Sequence, residues 1–185
     1  MLKTLDIAMS FGTYLNDNSP NMSMLNSNHI HVWNGNGIYH TLLKPAYSIA
    51  IPDFAIESAM LYLYVQYAPQ AGRSVNLSRV VKAATSGATW NKYDGSSAWE
   101  TPGGTGATDI SAALACSPFS GFVQYQYAAI PLTRAEYLAA KTNDQCFLLT
   151  PAAYNQWVYF VNYNQASNTP FIRISYRSNS VPTFF

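Results

Sequence analysis

Residues 57–66 read ESAMLYLYVQ, and these ten positions decide the fold. Successive side chains of an extended chain point to opposite faces, so Ala59, Leu61, Leu63 and Val65 fall on one side and Met60, Tyr62, Tyr64 and Gln66 on the other. The stretch is a strand with an apolar core face and an amphipathic outer face. Downstream, SVNLSRVVK (74–82) repeats the scheme, with Val75, Leu77, Arg79 and Val81 opposite Asn76, Ser78, Val80 and Lys82. FVQYQYAAI (122–130) puts Val123, Tyr125 and Tyr127 together, and CFLLT (146–150) is an apolar run around Leu148. QWVYFVNY (156–163) sets Trp157, Tyr159 and Val161 against Val158 and Phe160, and PFIRISYR (170–177) sets Phe171, Arg173 and Ser175 against Ile172, Ile174 and Tyr176. Turn clusters at 16–21, 34–37, 68–74 and 164–170 separate these runs. The expected core includes Ala59, Leu61, Leu63, Val75, Leu77 and Val81.

One helix interrupts the strands. Thr133 and Glu136 have the T-x-x-E spacing of a capping box ahead of good helix formers that run to Lys141. A shorter second helix is expected in TDISAALA (108–115), capped by Thr108 or Asp109. Many short strands with regular turn signals indicate an all-β sandwich or barrel. We expect one domain over residues 1–177 and a C-terminal tail over 178–185.

Composition narrows the function. Only 10% of the 185 residues are charged and the net charge is +1, so no basic stripe meets a phosphate backbone and nucleic acid is not an expected partner. The apolar runs are far shorter than the ~20 residues of a spanning helix, and no membrane partner is expected. Polarity is carried by Asn, Ser, Thr, Gln and 14 Tyr. Cys116 and Cys146 lie in no CxxC and no His-rich cluster, which leaves buried free thiols or one disulfide. His29 and His31 share a face of a strand and His40 is the one further histidine, but no Cys, Asp or Glu stands beside them. Neither a metal nor any other cofactor is expected. The nine acidic residues include no evident acid/base pair, Asp94 with Glu100 being the nearest to one, so no enzymatic activity is expected.

GATWNKYDGSSAWETPGG (87–104) places Trp90 and Trp99 in a run of loop-forming residues. One reading makes Trp90 a plug for the end of a β-sandwich, its indole N–H on a loop carbonyl, with Trp99 anchoring the return and Pro102, Gly103 and Gly104 setting the turn. The other makes one ring, with Tyr93, a stacking platform for a sugar, Asn91 and Asp94 supplying hydrogen bonds; Trp99 is the candidate ring.

With Leu42, Leu43, Ser58, Ala59, Leu61, Leu63 and Tyr64 before this element, and Pro170, Ile172 and Tyr176 after it, the chain resembles the DNRLRE-type domain over nearly its whole length. The hexapeptide that names that family is absent. The resemblance implies a jelly-roll β-sandwich of two antiparallel sheets, akin to carbohydrate-binding modules. Met1 opens the sequence and no secretion signal follows it, which suits a protein released by lysis. The expectation is a non-enzymatic virion structural protein of a bacteriophage, a capsid decoration (cement), head-fibre or tail-associated subunit. Expected partners are a major capsid or tail protein and further copies of the chain, a trimer first, with Phe184 and Phe185 as oligomer contacts. The alternative is a carbohydrate-binding module of a surface or secreted protein, with a glycan as partner.

Overall fold

The structure, a computed structural model, describes residues 1–68 and 73–178. The long strand β1 (Leu2–Asn16) is followed by the hairpin of β2 (His29–Asn34) and β3 (Ile38–Pro45), a 3-10 turn at Asp53–Ala55, and a second long strand, β4 (Ile56–Tyr67). Then come β5 (Ser74–Val80), β6 (Ile110–Ala113), β7 (Phe119–Ser120), β8 (Tyr127–Leu132), the helix α1 (Arg134–Thr142), β9 (Phe147–Pro151), β10 (Gln156–Val161) and β11 (Phe171–Arg177).

The fold is all-β, and its centre is a closed ring of six strands in the order β1-β11-β4-β10-β2-β3, with β3 returning to β1. Closure depends on the two long strands, each of which changes partner along its length. The first half of β1 pairs with β11 from Leu2 to Ala8, and the second half pairs with β3 as far as Asn16. The register shift between Met9 and Phe11 marks the handover; a bulge at this point lets a strand bend from one sheet into the next. β4 does the same, on β11 from Ile56 to Tyr62 and then on β10 at Val65 and Tyr67. Strand β8 extends the ring from β4, while β9, β5, β6 and β7 extend it from β3.

The core follows the period-two pattern of residues 57–66: Ala59, Leu61, Leu63 and Val65 are all buried among Ile130, Phe147, Phe160, Ile172 and Ile174. Helix α1 lies against this core through Tyr137 and Ala140. Its capping box is complete, with Glu136 N–H donating to Thr133 Oγ1 at 3.2 Å and Thr133 N–H donating to the Glu136 carboxylate at 2.7 Å. Both cysteines are free thiols, and burial pushes that of Cys146 up to about 12.

Two local expectations are corrected. Residues 108–115 do not form a helix: Ile110–Ala113 is β6, paired with β5 at Ser78 and Val80. An apolar segment beside an unpaired strand edge gains more from the ladder than from one isolated helical turn, whose nucleation is costly. Asp109 caps a loop instead, accepting N–H groups of Glu100, Thr101 and Gly106 at 2.9, 3.0 and 3.1 Å. Val81 is 52% exposed, while its neighbour Val80 is fully buried. The alternation holds to the end of β5: Val80 points away from the barrel interior, as Ser78 does opposite Leu148, and is buried there by a second cluster, while Val81 lies just beyond the last residue of the strand.

Candidate functional site: an aromatic surface across five strands

The two-tryptophan loop builds a second core. The face of the β1–β3–β9–β5 strands that points away from the barrel interior carries Leu15, Leu42, Leu148 and Val80, and Trp99, Ala84 and Ala88 close over it. Strand β9 is therefore covered on both sides, Phe147 and Leu149 by the barrel core and Leu148 by the loop. The expected division between the two rings is exchanged. Trp99, only 5% exposed, is the ring whose indole N–H reaches a loop carbonyl, that of Thr89 at 3.0 Å. Trp90 is half-buried and rests on His40, ring centroids 5.1 Å apart. Gly103 has φ +86°, and a Cβ there would fall 2.7 Å from the Trp90 ring, so only glycine fits the turn. With Pro102 before it and Gly104 N–H donating to Thr101 at 3.0 Å, this is the Pro-Gly pattern of a type II turn. Buried His40 has Nδ1 2.8 Å from the Gly103 carbonyl, and burial holds its pKa at about 4.

A sugar platform on this loop is not formed. Trp99 has no open face, and Tyr93 packs on its edge at 5.6 Å with the Lys82 ammonium 5.9 Å from the Tyr93 ring. Asn91 donates to Asn21 at 3.0 Å. Asp94 accepts the N–H groups of Ser97 and Ser96 at 2.5 and 2.8 Å, and these bonds hold its carboxyl well below the usual range. Glu100 accepts the Thr108 N–H at 2.6 Å. Each of these side chains is already engaged in shaping the loop. Phe184 and Phe185 lie outside the described residues.

The open aromatic surface is elsewhere. In β2 and β10, Ile30, Val32, Val158 and Phe160 face the core, so His31, Trp33, Trp157 and Tyr159 face away from it. Antiparallel pairing sets Trp157 opposite Trp33 and Tyr159 opposite His31, while β4 places Tyr67 opposite Tyr159 and β3 places Tyr39 opposite Trp33. The rings touch in series. Trp33 and Trp157 are 6.2 Å apart with planes at 42°, and Tyr67 lies 5.6 Å from Trp157 and 5.7 Å from Tyr159. His31 is sandwiched between Tyr159 at 4.2 Å and Tyr14 of β1 at 4.6 Å. Burial lowers the pKa of His31 to about 4, so all seven rings are uncharged at neutral pH. His29 and His31 are not part of a metal cluster; among the described residues no three His, Cys, Asp or Glu come together to hold one.

At one end of this surface a cleft of about 230 Å³ opens between Trp33, Trp157, Gly35, Asn36, Arg73, Tyr154 and Asn155. Arg73 donates to the Asn155 carbonyl, bracing the rim, and Tyr154 is 74% exposed above it. Sequence reasoning missed this site. Its signal was present as two alternations, HIHVW and QWVYF, each with rings at i and i+2. Nothing local says that strands 125 or so positions apart are neighbours, which is what merges two ordinary stripes into one surface.

The chain matches no family model and no curated protein sequence. Among the described residues, no helix is long and apolar enough to cross a membrane.

Proposed function

We propose that this chain is a non-enzymatic structural subunit of a bacteriophage particle, a capsid decoration, head-fibre or tail-associated protein, and that it makes its attachment through the aromatic surface. The observation that carries the reading is the row of seven touching, half-buried, uncharged rings laid across five strands. A broad rigid surface of Trp and Tyr supplies contact area at low cost in side-chain entropy, the property that enriches these residues in recognition surfaces. The low charge of the chain suits a surface covered by neighbours or by a neutral polymer. Its partners are then other virion proteins and further copies of itself.

We further propose that the barrel is a jelly-roll variant. The support is that β1 and β4 each serve two sheets, which is how a sandwich closes at its edges. Mass spectrometry of purified particles tests the function: the chain is expected at structural copy number, and its absence from intact particles overturns the reading.

A further inference from the structure

We propose that the Trp33–Trp157 end of the aromatic surface binds a neutral polysaccharide, one pyranose ring seated in the cleft and the next along the row of rings. The inference rests on the aromatic surface being the recognition surface, and it assigns the Trp33–Trp157 end, where the cleft lies, to a glycan, leaving the rest of the row for contacts with particle proteins. A pyranose has an apolar face of C–H groups and a periphery of hydroxyls that both donate and accept. It is matched by an aromatic floor with a few amides and phenols at the rim. The cleft has that composition: two indoles below, and Asn36, Asn155 and the exposed Tyr154 around them. Among the described residues no carboxylate or ammonium lines it, and the guanidinium of Arg73, the one charged group among them, already donates to Asn155. A dry apolar anchor from a protein would have to desolvate this polar rim without satisfying it, whereas hydroxyls replace the lost water bonds.

The floor is also set in advance. The Trp33 indole lies so close over Gly35 that a Cβ there would fall 2.7 Å from Nε1, and Tyr39 holds it edge-on at 4.9 Å. Trp157 is braced by Tyr67 at 5.6 Å and Tyr159 at 6.0 Å. The 42° angle between the two indoles makes a twisted floor. It fits a single chain whose successive rings rotate and does not fit the flat face of a crystalline polymer.

Native gels cast with soluble laminarin, glycogen, galactomannan or, as an anionic control, dextran sulfate provide the test, with a pull-down on crystalline cellulose beside them. Retardation by at least one neutral polymer is expected, with no retention on cellulose. Trp33→Ala and Trp157→Ala should each weaken binding by about tenfold or more, the scale of one aromatic contact. Tyr154→Ala removes a side chain in open solvent, and Gly35→Ala displaces the indole without deleting it. Both should weaken binding with the thermal melt unchanged, which keeps the test valid if a tryptophan variant fails to fold. Tyr62→Ala, on strand β4 outside the ring row, should bind as the parent does. No retardation by any neutral polymer, retardation by dextran sulfate alone, or binding indifferent to Tyr154→Ala and Gly35→Ala would overturn the proposal. The purified chain binds or fails to bind irrespective of its place in a particle, so its absence from particles sinks the virion reading alone.

Discussion

Trp99 and Trp157 are the same side chain put to opposite uses. Trp99 sits in the connection between β5 and β6, residues 81–109, which has little regular structure, yet it is almost wholly buried and its N–H is bonded. Trp157 is the second residue of the regular strand β10, yet it is half exposed and lines a cleft. Burial therefore does not follow local regularity. The loop has to cover the exposed side of β9, and a large ring does this at the least cost in ordered residues. The strand already buries Val158 and Phe160, which leaves its alternate positions for recognition.

The sharpest way to break this comparison is to truncate both rings. Trp99→Ala should cost about 3–5 kcal/mol, as large core truncations do, and leaves the Thr89 carbonyl with the longer bond from Lys92 N–H at 3.3 Å in place of two donors. Trp157→Ala should cost clearly less, about 1 kcal/mol, as at partly exposed sites. Urea midpoints at constant slope measure the two, and equal losses would abolish the distinction between cover and platform.

Next in size is Asp109→Ala. The carboxylate is fully buried and collects three backbone N–H groups from the turn after Trp99. Its removal should cost about 2–4 kcal/mol, charge-assisted bonds being the strong ones, and it should loosen Trp99, read as a red shift of the fluorescence with Trp157 quenching unchanged.

The third effect is pH dependence. His40 is buried and neutral with a pKa of about 4, against an ordinary value of 6.5. The unfolded chain binds the proton more readily, so stability is complete above pH 6.5, falls as pH drops towards 4, and is then flat with respect to this group. The whole window is worth at most about 3 kcal/mol. His31 shifts the same way. The lowered carboxyls of Glu136 and Asp94 act below it, in the ordinary carboxylate range, also losing stability as pH falls. His40→Gln should reduce the fall of the urea midpoint between pH 6.5 and 4, leaving the part due to His31; an unchanged profile would show that His40 is protonated without penalty.

The smallest effect is expected from Asp94→Ala, which opens one exposed Asx turn. Amide exchange should quicken at Ser96 and Ser97 while the global melt barely moves. A large global loss would mean that the loop folds as a single unit with the second core.

The sequence by itself determined what depends on neighbours within a few positions. The all-β class, the core face of β4 and the capping box of α1 follow from alternation and from the T-x-x-E spacing, because strand pleat and helix geometry act over two to four residues. Tertiary structure decided the rest. The loop that covers the outer face of the sheet buried Val80 and left Val81, past the end of β5, exposed, and the free edge of β5 drew residues 110–113 out of a helix. The uncovered side of β9 called Trp99 inward, and pairing β2 with β10 gathered His31, Trp33, Trp157 and Tyr159 into one surface. In each case the deciding partner lies tens of residues away or more, and the free energy of burial and ladder pairing across that distance exceeds the fraction of a kcal/mol per residue that local preference supplies.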